Sequence, residues 1–477
     1  MIADLKPYPA MKNSGVPWLG EVPERWEVKR GKNLFRCIDV RSATGNEELL
    51  TVSSARGVVP RRSATVTMFK AESYLGYKLC WPGDLVINSL WAWARGLGVS
   101  RYHGIVSTAY GVYRLRRDSD CDARFINELV RSTPFHWELQ VRSKGVWTSR
   151  LQLTDDSFLG APFPKPPVSE QGAIVRFLKH ADRRIKRYIR TKQKLIKLLE
   201  EQKQAIIHRA VTLGLDSNVR LKPSGVEWLG DVPEHWDVAA LRHRYSQVLG
   251  KMLDAKRITG SHSLPYLRNT DVQWDRINVD DLPSMDILAT EYDRYTVQKG
   301  DLLVCEGGEV GRCAIWLGKL GVCGFQKALH RLRPVNAARD VPRFMYYVLR
   351  AAAKGNAFDD GHVSTIAHLT GDKLRAHGFP FPPVTEQKSI VRFLDSVLTQ
   401  VDQATAVALR EISLLREYRT RLIADVVTGK LDVRAAAAKL PDETDESESL
   451  DGADSLLGGD EDTEDADLDA VPEEAET

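Results

Sequence analysis

The sequence predicts an α/β (α+β) protein. It has two globular mixed α/β domains joined by two long antiparallel coiled-coil helices, a pseudo-twofold internal repeat and a disordered acidic C-terminal tail. Three observations predict this class: two thirteen-residue segments each occur twice, a long heptad pattern follows both copies of the second segment, and the chain ends in a run of acidic residues.

The first repeated segment marks the beginning of each half. SGVPWLGEVPERW (residues 14–26) returns as SGVEWLGDVPEHW (residues 224–236), with ten of thirteen positions identical. Self-similarity of this kind indicates an internal duplication. We predict that the shared apolar residues pack each domain against a common frame or a common partner. These residues are Trp18, Leu19, Pro23, Trp26, Trp228, Leu229, Pro233 and Trp236.

The second repeated segment opens a helix in each half. PPVSEQGAIVRFL (residues 166–178) returns as PPVTEQKSIVRFL (residues 382–394). The two prolines predict an extended start, and Glu170 and Glu386 then fall in the first turn, where the helix dipole favours a carboxylate. Gly214 and Gly429 are suited to a left-handed helix end.

Apolar residues follow each start at alternating steps of four and three. This spacing favours a coiled coil, and two helices with matching seams from one chain should pair antiparallel. The predicted helix or subunit interface contains Ile174, Leu178, Ile185, Tyr188, Leu195, Leu199 and Ile206, and then Ile390, Leu394, Val397, Val401, Leu415, Tyr418 and Leu422.

The charge is unevenly distributed. Residues 441–477 contain 17 acidic residues and no Lys or Arg, so the rest of the chain has 67 basic and 47 acidic residues and a formal charge of +20. Such a body is typical of a protein with a polyanionic partner, although a solvated basic surface is the alternative. No apolar run reaches a membrane span and no signal peptide is evident, so a cytoplasmic location without membrane contact is expected.

Together the repeated W-L-G-x-V-P-x-x-W and P-P-V-S/T-E-Q motifs resemble the specificity subunit of type I restriction–modification enzymes, over residues 12–434. The resemblance implies two target-recognition domains, each reading one half of a bipartite double-stranded DNA site. It also implies that the helices dock two modification (methyltransferase) subunits and, where present, restriction (motor/nuclease) subunits. S-adenosylmethionine, ATP and Mg would then bind the partner subunits, and this chain would bind none of them. The acidic tail is not part of the family pattern.

On this basis the chain divides into five parts. We expect a target-recognition domain at residues 1–168, a central spacer helix at 169–216, a second recognition domain at 217–384, a distal helix at 385–434 and an acidic tail at 435–477. No methyltransferase, phosphate-binding or nuclease motif is evident, so a non-catalytic chain is expected. The alternatives are a self-contained DNA methyltransferase or nuclease, and a coiled-coil scaffold that does not bind DNA.

Candidate DNA-binding residues of the first domain combine arginines, tryptophans and a lysine. Trp91 and Trp93 should share one face with Arg95, which could pair with guanine or phosphate; core packing is the alternative for both tryptophans. Arg56, Arg61 and Arg62 could contact the backbone or form a solvated turn. The remaining candidates lie on a glycine-bearing loop and are Lys144, Trp147 and Arg150.

The second domain offers a corresponding set. Arg268 is followed by Asn269, which could make the bidentate adenine contact or be a turn residue. Two further groups lie on a predicted strand or its edge and on a loop that matches the loop of the first domain. They are Gln326, Lys327, His330 and Arg331, and then His362, Ser364 and Thr365. No third ligand accompanies His362 and His368, and the cysteines lack zinc-site spacing, so no metal site is predicted.

Overall fold

The computed structural model describes residues 5–64, 71, 73–145, 151–253, 260–358 and 368–441. The chain forms two compact units, residues 1–191 with 411–477 and residues 192–410, and both long helices contribute to each unit. Within the described ranges, no helix combines the length and apolar character that a bilayer span requires.

Short strands dominate the first unit. Its strands are β1 (Met11–Asn13), β2 (Glu21–Pro23), β3 (Glu27–Arg30), β4 (Phe35–Cys37), β5 (Leu50–Ser53), β6 (Gly57–Pro60), β7 (Lys78–Cys80), β8 (Leu85–Asn88), β9 (Leu97–Val99), β10 (Gly104–Val106), β11 (Tyr110–Leu115) and β12 (Pro162–Lys165). Its short helices are α1 (Gly31–Leu34), α2 (Ala123–Val130), α3 (Thr133–Arg142) and α4 (Asp155–Leu159).

The first unit is built around an antiparallel sheet of order β4-β11-β8-β9. Strands β3 and β12 pair antiparallel, Glu27 opposite Lys165, and so bring together the two ends of residues 31–161. We call the repeated segments, the strand pair that closes the insert and the long helices the frame. The core joins the insert to this frame, because Trp26 and Phe163 cluster with Ile174 and Leu422 of the long helices.

A second set of elements repeats this plan. Its strands are β13 (Leu221–Pro223), β14 (Asp231–Pro233), β15 (Asp237–Ala240), β16 (Tyr245–Leu249), β17 (Ser263–Leu267), β18 (Val272–Gln273), β19 (Arg276–Ile277), β20 (Ser284–Asp286), β21 (Leu302–Cys305), β22 (Cys313–Ile315), β23 (Gly324–Phe325), β24 (Leu329–Pro334) and β25 (Gly378–Phe381). Its short helices are α6 (Tyr292–Tyr295), α7 (Pro342–Lys354) and α8 (Gly371–Ala376).

The sheet of the second unit has the corresponding order β16-β24-β21-β22, and β15 pairs with β25 as β3 pairs with β12. Strand β17 adds a feature of its own, pairing antiparallel with β20 and parallel with β23. The two inserts therefore share the central sheet and differ around it. The predicted mixed helix and strand class is confirmed.

The long helices are α5 (Val168–Leu213) and α9 (Val384–Val427). Each begins one residue before the predicted start. The predicted left-handed ends are confirmed, because Gly214 and Gly429 follow the helices with φ of 75° and 78°.

Burial along α5 follows a 3.6-residue period and departs from the predicted heptads. Residues 174, 178, 181, 185, 189, 192, 196, 199, 203, 207 and 210 are buried or half-buried, ten steps over 36 residues. A heptad seam drifts about 20° per seven residues from this period. Tyr188, Leu195 and Tyr418 are consequently 53%, 41% and 38% exposed, and Ile189 and Ile196 take the inner positions in α5.

The other predicted seam residues divide into two groups by burial. Leu199, Ile206, Val397 and Leu415 are half-buried. The buried group contains Ile174, Leu178, Ile185, Ile390, Leu394, Val401 and Leu422.

Within each unit the two long helices run antiparallel. In the first unit Trp26 contacts both Glu170 and Gly429, and Asp182 binds Arg419. In the second unit Lys203 binds Asp402, and Gly214 lies beside Glu386.

The last described element is the short helix α10 (Arg434–Ala438). Ala437 and Leu440 are buried, and Ala437 belongs to the core of the first unit. The boundary predicted at residue 435 is therefore too early, because packed structure continues to Leu440. Residues 442–477 lie outside the described residues.

Candidate nucleic-acid interface

The repeated Glu-Gln pair fastens each long helix to its domain. Gln171 is buried; its Oε1 accepts from the Asp122 amide at 2.7 Å, and its Nε2 donates to the carbonyls of Asp120 and Pro166. Gln387 repeats this arrangement with the Val341 amide and the carbonyls of Arg339 and Pro382. Each glutamine thereby fixes the beginning of a helix of the insert, α2 or α7.

The glutamates differ between the copies. Glu170 Oε1 accepts from Trp26 Nε1 at 2.8 Å and from the hydroxyl of Tyr8, while Glu386 binds Nε2 of His235 at 2.8 Å. Burial, together with the bond to Glu170, raises the pKa of Tyr8. The interpretation of the repeated tryptophans as packing residues is confirmed for Trp26 and Trp236, which are both fully buried.

A second shared anchor organises the central sheets. Asp84 accepts from Arg114 Nε and Nη2, both at 2.7 Å, and from the amide of Trp81. Asp301 likewise accepts two bonds from Arg333 and one from the Gln298 amide. Each Asp follows a glycine with φ above 90° and precedes a buried strand. The faint repeat of WPGDLV in QKGDLL preserves this turn.

In the first insert, a short 3-10 turn, Ala92–Ala94, takes the place of a strand; Trp93 lies within it and Trp91 immediately precedes it. The rings of Trp91 and Trp93 still lie together, with centroids 6.3 Å apart, and both are half-buried. Arg95 takes a left-handed conformation and donates to Thr133 Oγ1. The two tryptophans therefore share a half-buried ring surface as predicted, through a 3-10 turn and not through strand alternation, and their contact with DNA stays a prediction.

The other basic candidates of this insert lie at its surface. Arg56 is exposed and donates to the Ser63 carbonyl, and Arg62, with its side chain 80% exposed, pairs with Glu48 at 3.2 Å. Arg61 begins the 3-10 turn that follows β6. Lys144 is exposed, and its backbone forms a bridge with Gln152.

Two candidates of the second insert are held within the fold. Arg268 makes two hydrogen bonds to Asp271, at 2.9 and 2.8 Å. Asn269 donates to the Gly307 carbonyl and accepts from Arg312. Asn269 therefore serves at least as a turn residue, and a bidentate adenine contact would require these bonds to be exchanged.

The predicted DNA contacts of His330 and Arg331 are wrong, because both side chains are buried. Both residues lie on β24, are 0% and 4% exposed, and cannot reach a base without unfolding the strand. His330 accepts from Gln247 Nε2 and donates to the Leu369 carbonyl, while Arg331 donates to the carbonyls of Asp293 and Thr296. Burial lowers the pKa of both side chains. The neighbouring Gln326 is half-buried and Lys327 is exposed, so both stay predictions.

The remaining predicted residues lie outside the described ranges. They are Trp147 and Arg150 in the first insert, and His362, Ser364 and Thr365 in the second.

One aromatic and basic surface was not predicted from the sequence. The loop between β9 and β10 carries exposed Arg101, Tyr102 and His103, and the His103 ring lies 5.4 Å from that of Trp81. The available signal was the tetrapeptide Ser-Arg-Tyr-His between two strands. Such a loop fits phosphate and base contacts.

Buried cysteines support the fold. Burial raises the pKa of Cys80 and Cys305 to about 11 and that of Cys323 to about 12. Such thiols are not nucleophilic near neutral pH.

These features define a class of protein: a duplicated frame that presents two unlike inserts with basic and aromatic loops. The family model for the type I restriction modification DNA specificity domain matches residues 247–409. The putative type I restriction enzyme MjaX specificity subunit of Methanocaldococcus jannaschii is 21% identical, over 87% of this chain and 96% of its own length. By this domain and this relative, the chain is similar to the type I restriction enzyme specificity subunits.

Two solved structures show the same fold. One, described as the structural basis underlying complex assembly and conformational transition of the type I R-M system, has a TM-score of 0.65 at 18% identity, covering 86% of this chain and 99% of the other. The HsdS subunit from Thermoanaerobacter tengcongensis has a TM-score of 0.50 at 18% identity, covering 86% and 98%.

Proposed function

We propose that this chain is the DNA-recognition subunit of a type I restriction–modification enzyme and that each insert reads one half of a bipartite double-stranded site. The observation that carries the proposal is the duplicated frame. Paired strands close each insert at the same place, β3 with β12 and β15 with β25, whereas the residues they enclose differ. A constant frame with two different inserts suits two half-sites of different sequence.

The long helices act as a coiled-coil spacer and as a docking surface in this proposal. Tyr188, Leu195 and Tyr418 are large, apolar and exposed on helices that are otherwise strongly charged. Exposed apolar groups on such helices suit a protein partner, and the partners we propose are two modification subunits, with restriction subunits where the system contains them. S-adenosylmethionine, ATP and Mg would bind those subunits, and the cytoplasm is the compartment that this function implies.

Exchange of one insert tests the proposal. Replacing residues 31–161 with the corresponding insert of another specificity subunit should change one half of the methylated site and preserve the other. Replacing residues 241–377 is the matched exchange and should change the opposite half. Sequencing of methylated host DNA reads the outcome, and a change of both halves by either single exchange contradicts the proposal.

A second experiment separates recognition from catalysis. The purified chain alone should bind the bipartite duplex only weakly, and binding should strengthen when its partner subunits are added. The chain alone should transfer no methyl group from S-adenosylmethionine. Methyl transfer by the chain alone would establish the enzyme alternative, and a failure to bind any duplex with its partner subunits would favour a scaffold.

A further inference from the structure

One face of α5 is strongly basic. Residues 176–190 contain seven Lys and Arg and one acidic residue, Asp182. At 100° per residue, six of the seven fall within an arc of about 100°, opposite the buried Ile174, Leu178 and Ile185. This basic face, about 21 Å long at 1.5 Å per residue, consists of Arg176, Lys179, Arg183, Lys186, Arg187 and Arg190.

The frame does not require this charge. The matching stretch of α9, residues 392–406, contains one basic and two acidic residues. At the repeat offset, Lys179 corresponds to Asp395 and Lys186 to Asp402, although both helices pack by the same kind of buried seam. The basic face is therefore specific to the first copy and serves something that the second copy lacks.

The described chain ends at the edge of this face. Nη2 of Arg176, the first residue of the face, donates to the carbonyls of Leu440 at 2.6 Å and Pro441 at 3.0 Å. Leu440 is buried, so the point from which the next residues leave is fixed by packing as well as by these bonds. Asp182, the one acidic residue of this stretch, pairs with Arg419 and Lys186.

The sequence that follows has the opposite charge. Residues 442–451 include six Asp and Glu, and residues 442–477 include 17. Ten residues can extend up to about 35 Å, which exceeds the length of the basic face. A tethered segment also meets its target at high effective concentration.

We propose that the acidic segment 442–477 binds the basic face of α5 within the same chain. The fixed anchor at Arg176, the complementary charge and the absence of this charge from α9 together select this occupant. The contact screens the basic face from other polyanions, and duplex DNA is the competing occupant that an experiment must distinguish.

Carbodiimide cross-linking of the full-length chain tests the contact, because the reagent joins a carboxylate directly to a lysine amine. Mass spectrometry should find links from residues 442–477 mainly to Lys179 and Lys186, with far fewer to the exposed Lys12 and Lys319. Raising sodium chloride from about 0.05 M to about 0.5 M should suppress the links, because exposed charges are then screened. Equal yields at all four lysines would overturn the proposal.

A matched pair of variants strengthens the test. The triple variant Arg183→Gln, Arg187→Gln and Arg190→Gln keeps both reporter lysines and should lower their links to the acidic segment about tenfold. The control Lys388→Gln, Arg392→Gln and Arg410→Gln removes three exposed cations from α9 and should change nothing. Circular dichroism confirms that both variants remain helical.

The competing occupant gives a different result. If the basic face binds DNA instead, links to Lys179 and Lys186 should be unaffected by the triple variant. The same variant should then weaken binding of a scrambled duplex equally with and without residues 442–477. That pattern contradicts the proposal, and it leaves the recognition function of the inserts untouched.

Discussion

The indole N–H of Trp26 donates to the carboxylate of Glu170 at 2.8 Å, which ties the first repeated segment to the second inside the core of the first unit. At the equivalent place in the second unit, Nε1 of Trp236 is buried and has no hydrogen-bond partner among the described residues, while Glu386 binds the half-exposed His235. The two copies of the frame therefore depend on their glutamates to different degrees.

We expect Glu170→Ala to destabilise the first unit by about 2–4 kcal/mol, because it leaves the Trp26 N–H and the Tyr8 hydroxyl without their acceptor in a buried site. The matched Glu386→Ala removes a partly exposed pair and should cost about 1 kcal/mol or less. Urea unfolding followed by tryptophan fluorescence gives both values. Equal losses would show that the Trp26 bond contributes nothing particular.

Gly429, which follows the end of α9, should tolerate a side chain less well than Gly172 in α5. Gly429 has φ of 78°, and a Cβ there would lie 2.3 Å from Cδ of Pro23. Gly429→Ala should therefore cost about 2–4 kcal/mol from strain and overpacking. Gly172→Ala, in α5 with open space around the Cβ position, is the control and should be neutral or stabilising by up to about 1 kcal/mol. The same unfolding assay compares them.

Buried His330 should make the second unit sensitive to acid. Burial lowers the pKa of its imidazole, so the folded state keeps the ring neutral while the unfolded chain takes up a proton near pH 6.5. Stability is then retained above about pH 6.5 and lost as the pH falls, at up to about 1.4 kcal/mol per pH unit. His330→Gln should flatten the slope between about pH 6.5 and pH 5. An unchanged slope would mean that this ring contributes no proton to unfolding.

The sequence predicted the features that occur in both copies, and it failed for side-chain burial that depends on tertiary contacts. The duplicated segments located the frame in both halves. The Gly-Asp turns of Asp84 and Asp301 were visible in the sequence as the similar segments WPGDLV and QKGDLL. The predicted heptad positions depart from the buried ones because apolar residues also lie on either side of the buried stripe of the helix. The sequence pattern alone could therefore not decide whether Tyr188 or Ile189 is buried. His330 was assigned to a surface because a strand buried on both faces has no alternating pattern.

The antiparallel register sets the two points at which a spacer insertion must be made. Because Lys203 lies opposite Asp402, Leu199 lies one turn further along, opposite about Thr405 or Ala406. One heptad inserted after Leu199 and another after Thr405 should widen the gap between half-sites by about three base pairs, since seven residues add about 10 Å. Methylated-site sequencing should show the wider gap with unchanged bases. An unchanged gap in an active complex would rule out the helices as a spacer.

Truncation after Leu440 should tighten binding to non-specific DNA more than binding to the cognate site. The acidic segment and any duplex both seek basic surface, and non-specific binding depends mainly on phosphate contacts, whereas a cognate site adds base contacts. We expect an affinity gain of about tenfold for a scrambled duplex and less for the cognate one, with both gains shrinking as salt rises. Titrations of the full-length and truncated chains with their partner subunits, against both duplexes at two salt concentrations, measure this. Identical affinities before and after truncation would restrict the acidic segment to a solubilising role.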